Sequence, residues 1–333
     1  MDLRKVQLTG SSSYVVTLPK EWITLNGIKK NDPVGVMVQP NGMLLITPKS
    51  KGEPPYRTKE FDVDEISDST YLFRLLVSAY INGYSTIVLK SKTRIESFVR
   101  ECAISFTQTA IGPEIIEESI KSITMKDLLN PIEMPMDKTI KRMHILVKTM
   151  HEDAIMALRE KNRQLADRIE PRDRDVDRLN WLISRQFNIL LTNMSLSNEM
   201  KMTREETTCM FLMSRLIERI GDHAVKISKE VILIFDEKID PQIIEMITFA
   251  SGNSLEILED TIAAWEKKDI KAANKNIDSV TDLASYCKEI NDAALNLNGV
   301  SSVGVSYIAE SIRRSGEYAG DISELLIDYL VNE

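Results

Sequence analysis

Two carboxylates four residues apart, Glu218 and Asp222, are the side chains in this chain best spaced for ion binding. The stretch around them, residues 210–231, repeats apolar residues every three or four positions, which predicts an amphipathic helix. Carboxylates four apart are neighbours on such a helix and repel each other unless a positive charge lies between them. A metal ion would supply that charge, and an exposed face with salt bridges is the simpler alternative. Three basic residues lie within helical reach: Arg215, Arg219 and Lys226.

The same spacing recurs in other helical stretches of the chain. Asp173 and Asp177 form a second pair, and further pairs lie nearer the carboxyl end: Asp278 and Asp282, Glu317 and Asp321. Ligand sets made only of oxygen favour hard or borderline cations such as magnesium, manganese or iron over structural zinc. The pairs therefore predict sites for divalent or iron cations.

Residues that would indicate an enzyme are sparse. The histidines are His144, His151 and His223, and the cysteines Cys102, Cys209 and Cys287 are far apart with no CxxC motif. No Ser-His-Asp or Cys-His arrangement is evident, so we expect no enzyme activity. The cysteine pattern predicts a reducing, cytoplasmic setting without a disulfide framework.

An internal duplication organises residues 136–333. Residues 153–162 recur at 260–269, an offset of 107, and residues 219–224 recur at 314–319, an offset of 95. Duplicated helical units at such a period predict a repeat architecture. The expected helices are 138–161, 164–196 and 203–235 in the first copy, and 240–267, 269–296 and 301–331 in the second.

The run IERIGDHAVKIS, residues 217–228, resembles the signature of the PhoU family. The run from Asp173 to Leu179 and the two-fold repeat extend the resemblance over about 200 residues. It implies a tandem pair of three-helix bundles with metal clusters at ExxxD motifs. In the second copy Arg313 and Glu317 replace Glu218 and Asp222, so the resemblance is weaker there.

Residues 1–51 have a different character, with short β-branched stretches separated by turns. Strands are predicted at 5–9, 14–18, 32–39 and 43–47, with a short helix at 20–26 and a hairpin turn at Asn41-Gly42. A segment of about fifty residues with four short strands buries little surface, so we expect it to be stabilised by dimerisation.

The motifs YVVTLPKEWI, LNGIKKNDPVGV and PNGMLLITP, in this order, resemble the AbrB/SpoVT swapped-hairpin DNA-binding domain. The resemblance implies a homodimer through residues 1–51 and DNA contacts from loop and strand residues. An antitoxin-type use of the fold, in which the domain only dimerises, is the alternative. The candidate DNA-binding residues are Arg4, Lys5, Ser12, Ser13, Lys20, Lys29 and Lys30.

Between these parts, residues 52–56 predict a linker stiffened by Pro54-Pro55, and residues 57–135 predict a small α/β middle domain. Its order is strand, helix, strand, helix, strand, strand. The expected fold class is thus a multidomain α+β protein: a swapped-hairpin β domain, the middle domain, and an all-α PhoU-like pair of three-helix bundles.

Charge is distributed unevenly along the chain. The net charge is −8, while residues 1–51 hold seven Lys or Arg and three Asp or Glu and are therefore +4, which leaves −12 for the remaining 282 residues. Nucleic acid is thus expected to bind only at the N-terminal piece. No apolar run approaches 18 residues, so no membrane span is predicted.

Together the two resemblances imply a DNA-binding transcriptional regulator of phosphate uptake whose PhoU-like part senses or relays phosphate status. The resemblance implies phosphate ABC transporter or two-component signalling proteins as partners. The alternative is a protein–protein adaptor at the transporter or two-component system, in which the N-terminal domain serves only to dimerise. A metalloenzyme or metal store that uses the carboxylate pairs is a third alternative.

Overall fold

The computed structural model describes residues 2–38, 42–48 and 57–332. The chain divides into two compact units, Met1–Pro55 and Tyr56–Glu333. The predicted linker at 52–56 and Asn41 of the predicted turn lie outside the described residues. No helix in these ranges is both long and apolar enough to cross a membrane.

The first unit consists of two antiparallel hairpins and one short helix. Strands β1 (Gln7–Thr9) and β2 (Ser13–Val15) pair, helix α1 (Lys20–Leu25) follows, and β3 (Gly35–Val38) pairs with β4 (Leu44–Thr47). The first three strands are shorter than predicted, since residues 5–6, 16–18 and 32–34 lie outside them, and Gln39 of the third predicted strand lies outside the described residues. Gly10, Gly27 and Gly42 have positive φ at the turns, a conformation that glycine adopts without strain.

The second unit begins with a four-stranded sheet. Its elements are β5 (Thr58–Asp62), α2 (Ser69–Ile81), β6 (Thr86–Lys90), α3 (Ser97–Thr109), β7 (Pro113–Glu118) and β8 (Ser122–Asp127). The strand order is β5-β6-β8-β7, with only β5 and β6 parallel. The predicted order of strands and helices is confirmed. Alternate residues of the central strands, such as Leu89 and Ile123, are buried against Leu72, Leu76 and Phe106 of the helices.

Within residues 57–332, eight α-helices follow the sheet. They are α4 (Met136–Glu160), α5 (Arg163–Asp167), α6 (Ile169–Thr192), α7 (Met194–Glu199), α8 (Arg204–Leu233), α9 (Pro241–Lys267), α10 (Ile270–Ala294) and α11 (Gly299–Asn332). Helices α4, α6 and α8 form the first three-helix repeat, and α9, α10 and α11 form the second. A shared core of aliphatic and Met side chains runs through both repeats.

The prediction of one helix over 164–196 is wrong. The segment divides into α5, α6 and α7. The break at Arg168 has no side-chain cap, and Pro171 in the first turn of α6 lacks the amide hydrogen that would continue the helix from α5. The side chain of Asn193 accepts a hydrogen bond from the amide of Leu196 and starts α7.

The first connection consists of Lys161 and Asn162. Lys161 has a φ of 49°, and Lys268, 107 positions later, has a φ of 53°. The repeat symmetry therefore extends to the helix ends.

Candidate functional site

Helices α6 and α8 position the four carboxylates of the first repeat. On α8, Met213, Ile217, Ile220 and Ala224 are fully buried in the core. This packing leaves Glu218 and Asp222 beside α6, and Asp173 and Asp177 of α6 lie on the side that meets α8. We call these four residues the acidic cluster: Asp173, Asp177, Glu218 and Asp222.

The electrostatics show that the two pairs belong to one cluster. Burial, followed by the charges of Asp177, Asp222 and Glu218, raises the pKa of Asp173 to about 7. Burial and the charges of Asp222 and Asp177 raise the pKa of Glu218 to about 7, although Arg215 and Arg219 oppose this shift. The pKa of Asp177 is raised by burial and by Asp222. Each helix therefore destabilises negative charge on the other.

Gly221 permits this close approach of α6 and α8. A Cβ atom at this position would lie 3.3 Å from Oδ1 of Asp173 and 3.2 Å from Cγ1 of Val147. The Oδ1 atom of Asp173 is buried and has no hydrogen-bond partner in the described part of the chain. A buried carboxylate oxygen without a donor is costly, so this position favours either a proton or a cation.

Three arginines near the cluster have partners outside it, although Arg219 still lowers the pKa of Glu218. Arg172 donates to Asp153 and Thr149, each at 2.5 Å, and Arg178 pairs with Asp175 at 3.5 Å. The guanidinium of Arg219 lies 5.6 Å from the ring centroid of Tyr318. The charge of Glu170, which lies one turn before Asp173, raises the pKa of Asp173 further. The sequence prediction omitted Glu170, and its spacing of three residues from Asp173 was the available signal.

The acidic cluster offers carboxylate oxygens as metal ligands, but these oxygens do not converge on one position in this structure. Within residues 2–38, 42–48 and 57–332, no three His, Cys, Asp or Glu side chains converge closely enough to hold one metal ion. The donor type and the unpartnered Oδ1 of Asp173 fit a hard cation. Rotation of the side chains would be needed to bring three oxygens onto it.

The second repeat has a different arrangement at the equivalent place. Gly316 corresponds to Gly221, and its nearest neighbours Leu283 and Ser254 stand 107 positions after Val176 and Val147. With this offset, Val280 and Ala284 occupy the positions of Asp173 and Asp177. The aspartate pair of this region, Asp278 and Asp282, is exposed on α10, and Asp278 accepts a hydrogen bond from Asn274 at 3.3 Å.

The carboxylates of α11 are partly neutralised by arginines. Glu317 pairs with Arg313 and with Arg314, and Arg313 also pairs with Glu310 at 2.7 Å. Burial raises the pKa of Asp321, and Arg314 opposes the shift. Glu317 therefore already has ion-pair partners. Among the residues that the structure describes, no ion pair is seen for Glu218 or Asp222, although Arg215 and Arg219 act on Glu218 at longer range.

The three histidines lie in the helical repeats. His151 is fully buried on α4, and neither of its ring nitrogens has a hydrogen-bond partner among the described residues. Burial, helped by the nearby His223, lowers the pKa of His151 to about 4. Burial also lowers the pKa of His144. His151 is thus a neutral core residue in this structure.

The candidate DNA-binding residues are exposed on the first unit or partly so. Arg4 donates to the Thr17 hydroxyl at 3.1 Å and pairs with Asp2 at 3.2 Å. Ser12 lies in the turn between β1 and β2, Ser13 begins β2, and Lys20 begins α1. The remaining three are Lys5, Lys29 and Lys30, all exposed outside regular elements.

Sequence profiles match two regions of the chain. Residues 140–231 match the PhoU domain, and residues 7–54 match a family described as "Antidote-toxin recognition MazE, bacterial antitoxin". No curated protein matches the chain in sequence.

Two solved structures resemble the helical part. PhoU from Pseudomonas aeruginosa has a TM-score of 0.53 and 19% identity, covering 59% of this chain and 95% of that one. The phosphate transport system regulatory protein PhoU from Streptococcus pneumoniae has a TM-score of 0.53 and 17% identity, covering 60% and 94%. The tandem repeat therefore has the PhoU fold, and the chain joins a PhoU domain at residues 140–231 to a MazE/AbrB-like domain near its N-terminus.

Proposed function

We propose that this protein is a DNA-binding regulator of phosphate uptake. The observation that carries the proposal is the presence, in one chain, of a basic MazE/AbrB-like unit and an acidic body with the PhoU fold. The similar protein from Streptococcus pneumoniae is a phosphate transport system regulatory protein. In this proposal the first unit binds promoter DNA in the cytoplasm, and the PhoU-like repeats respond to phosphate status through phosphate ABC transporter or two-component proteins.

Dimerisation through the first unit is part of the proposal. None of the described residues in 2–38 and 42–48 is buried, and large apolar side chains are exposed: Leu8, Tyr14, Val36, Val38 and Leu44. A unit without a core of its own is expected to gain one by pairing with a second copy. Sedimentation or light scattering should give a mass of twice 37.8 kDa. A monomer at micromolar concentration would contradict this step.

Contacts from Arg4, Lys5 and Lys20 to phosphate would supply most of the affinity. Because phosphate contacts release bound counterions, the affinity should fall steeply as salt rises. Removing two phosphate contacts should make the slope of log affinity against log salt shallower by about two. Ser12, Ser13, Lys29 and Lys30 are further candidates for such contacts.

The test is a binding titration of the full chain with its own upstream DNA and with promoters of phosphate-uptake genes, at two salt concentrations. We expect salt-dependent binding that weakens in the double variant Arg4→Ala/Lys5→Ala. The charge-matched control is Lys238→Ala/Lys288→Ala, which removes two exposed lysines from the acidic body. Equal affinity in both double variants would contradict a role for Arg4 and Lys5.

The adaptor function is the second candidate, and the match to an antitoxin family favours it. In that case the first unit only dimerises, and the helical repeats bind the transporter or a signalling protein. A folded dimer that binds no DNA at low salt would favour the adaptor over the regulator.

We further propose that the acidic cluster binds a divalent or iron cation. Asp173, Asp177, Glu218 and Asp222 would be the ligands, and an ion between α6 and α8 would offset their repulsion. The second-repeat carboxylates Asp278, Asp282, Glu317 and Asp321 are weaker candidates because Glu317 is already paired with arginines.

A further inference from the structure

A cavity of about 470 Å³ lies at one edge of the four-stranded sheet. It is formed by the loop that connects β6 to α3, by the beginning of α3, and by the turn between β7 and β8. Its volume is within the range of about 300–1,000 Å³ that is common for small-molecule sites. The described residues that line it are Arg94, Ile95, Arg100, Glu118, Ser119 and Ile120.

Hydrogen bonds hold the two loops of the cavity together. The amide of Ile95 donates to the carbonyl oxygen of Ile120 at 2.8 Å, and the amide of Ser91 donates to the carbonyl oxygen of Lys121 at 2.9 Å. Within the turn, the Ser119 hydroxyl accepts from the amide of Lys121 at 3.2 Å. The walls are therefore fixed before a ligand arrives, which lowers the entropic cost of binding.

The cavity carries positive charge. Arg94 and Arg100 line it from two different segments, and Glu118 is the one carboxylate among the described residues of its wall, so the formal sum is +1. Within the described part of the chain, the exposed guanidinium of Arg94 has no ion-pair or hydrogen-bond partner. This positive site lies in the part of the chain, residues 52–333, whose net charge is −12. It is therefore a place in the acidic body that favours an anion.

The ion pair of Arg100 is weak enough for a ligand to displace. Arg100 pairs with Glu118, and the two side chains are 46% and 33% exposed. An ion pair this exposed contributes little to stability because water and salt screen it. A ligand with two negative charges would replace the single carboxylate on Arg100 and at the same time reach Arg94.

We propose that this cavity binds a phosphate dianion, either as free phosphate or as the phosphate group of a small organic molecule. The planar fork of an arginine matches phosphate oxygens, and the guanidiniums of Arg94 and Arg100 balance two negative charges. A carboxylate ligand would balance only one of them. The organic part of a phosphate ester would lie against the exposed side chain of Ile120. The proposal does not rest on DNA binding or on metal binding, because its residues belong to neither proposed site.

The test is a calorimetric titration of the full-length protein with phenyl phosphate, phenol and inorganic phosphate. At about pH 8 both phosphate probes are largely dianions, and EDTA keeps metal ions off the acidic cluster. We expect phenyl phosphate to bind saturably at one site per chain and phenol to bind at least about tenfold more weakly. Tighter binding of phenyl phosphate than of inorganic phosphate would identify a phosphate ester as the ligand, and the reverse order or equal affinity would identify free phosphate.

Variants locate the site and test the displacement of Glu118. Arg94→Gln and Arg100→Gln should each weaken phenyl phosphate binding about tenfold or more, because each removes a charge-assisted contact. Glu118→Gln should strengthen binding by about threefold or more, since it removes the competing carboxylate. The matched control is Arg74→Gln, which removes an exposed arginine of α2 that is not part of the cavity wall.

Binding of the probes to the basic first unit is distinguished by a further variant. Arg4→Ala/Lys5→Ala should bind phenyl phosphate as tightly as the wild type does, and loss of binding in this variant would overturn the proposal. So would absence of saturable binding of both phosphate probes, or equal affinity for phenol and phenyl phosphate. Unchanged binding in both Arg94→Gln and Arg100→Gln, or weaker binding in Glu118→Gln, would overturn it as well.

Discussion

The guanidinium of Arg185 on α6 lies against the carboxylate of Asp127 at the end of β8, with its Nη2 atom 2.7 Å from Oδ2. The two side chains are only 4% and 10% exposed. Arg185 also donates to the carbonyl oxygens of Tyr80 and Tyr84, at 2.6 Å and 2.9 Å. One charged side chain thus ties the small sheet and α2 to the helix that carries Asp173.

Asp127→Asn should destabilise the protein strongly. The change leaves the Arg185 charge buried without its carboxylate, and loss of one partner from a buried pair costs about 3–5 kcal/mol. We expect a drop of that order in the free energy of unfolding from urea titrations. Glu60→Gln is the control, because its pair with Lys90 is about half exposed and should contribute about 1 kcal/mol or less. Similar losses in the two variants would contradict a structural role for the buried pair.

The long helices could be predicted because their apolar stripes are a local property of the sequence. The apolar stripe does not reveal the breaks at Arg168 and Asn193. At Arg168 the helix is interrupted because Pro171 has no amide hydrogen, and at Asn193 capping of α7 competes with helix continuation. A break of one residue leaves the repeat of apolar side chains every three or four positions nearly unchanged, so this pattern does not show where one helix ends and the next begins. The contact between Arg185 and Asp127 also escaped prediction, because residues 58 positions apart meet only after the sheet packs on α6.

The acidic cluster was predictable as two pairs and not as one group. Spacing places Asp173 beside Asp177 and Glu218 beside Asp222, but the approach of the pairs depends on Gly221, whose missing side chain lets α6 lie close to α8. In the second repeat the offset of 107 puts Val280 where Asp173 stands in the first. Counting the carboxylate pairs in the sequence does not show that valine replaces aspartate at this position of the second repeat.

Metal content should depend on the first repeat alone. We expect elemental analysis of the purified protein to find magnesium, manganese or iron, and expect that Glu218→Ala and Asp222→Ala each lower this content. The double variant Asp278→Ala/Asp282→Ala removes two exposed carboxylates of similar spacing and should retain the metal. Unchanged content in the α8 variants would refute ligation by Glu218 and Asp222.

His151→Leu should make the protein less sensitive to acid. The pKa of His151 is about 4 in the folded state against an ordinary 6.5, so the unfolded state binds more protons between these values. The contribution of His151 to the free energy of unfolding is fully present above pH 6.5 and is lost as pH falls toward 4. Between pH 7 and pH 5 this contribution falls by about 2 kcal/mol.

Leucine at position 151 cannot be protonated, so this loss of stability on acidification should disappear. The substitution also removes two buried ring nitrogens that have no hydrogen-bond partner among the described residues. Urea denaturation of both proteins at pH 7 and pH 5 measures the difference. His144→Leu is the comparison, since His144 is only partly buried and should have a smaller effect. Parallel losses on acidification in wild type and His151→Leu would show that His151 does not titrate in this way.

Two glycines in helix interiors should respond to alanine with opposite signs. Gly252 on α9 is exposed, and nothing lies within 4 Å of the position its Cβ would take. Because glycine in a helix is less favourable than alanine by about 1 kcal/mol, Gly252→Ala should stabilise the protein by up to that amount. Gly316 on α11 is buried, and a Cβ there would overlap with Cδ2 of Leu283. Gly316→Ala should therefore cost about 1–3 kcal/mol through overpacking, despite the same gain in helix propensity. Urea midpoints of the two variants test this directly. Stabilisation by Gly316→Ala would mean that α10 and α11 are not as closely packed at Leu283 as the structure places them.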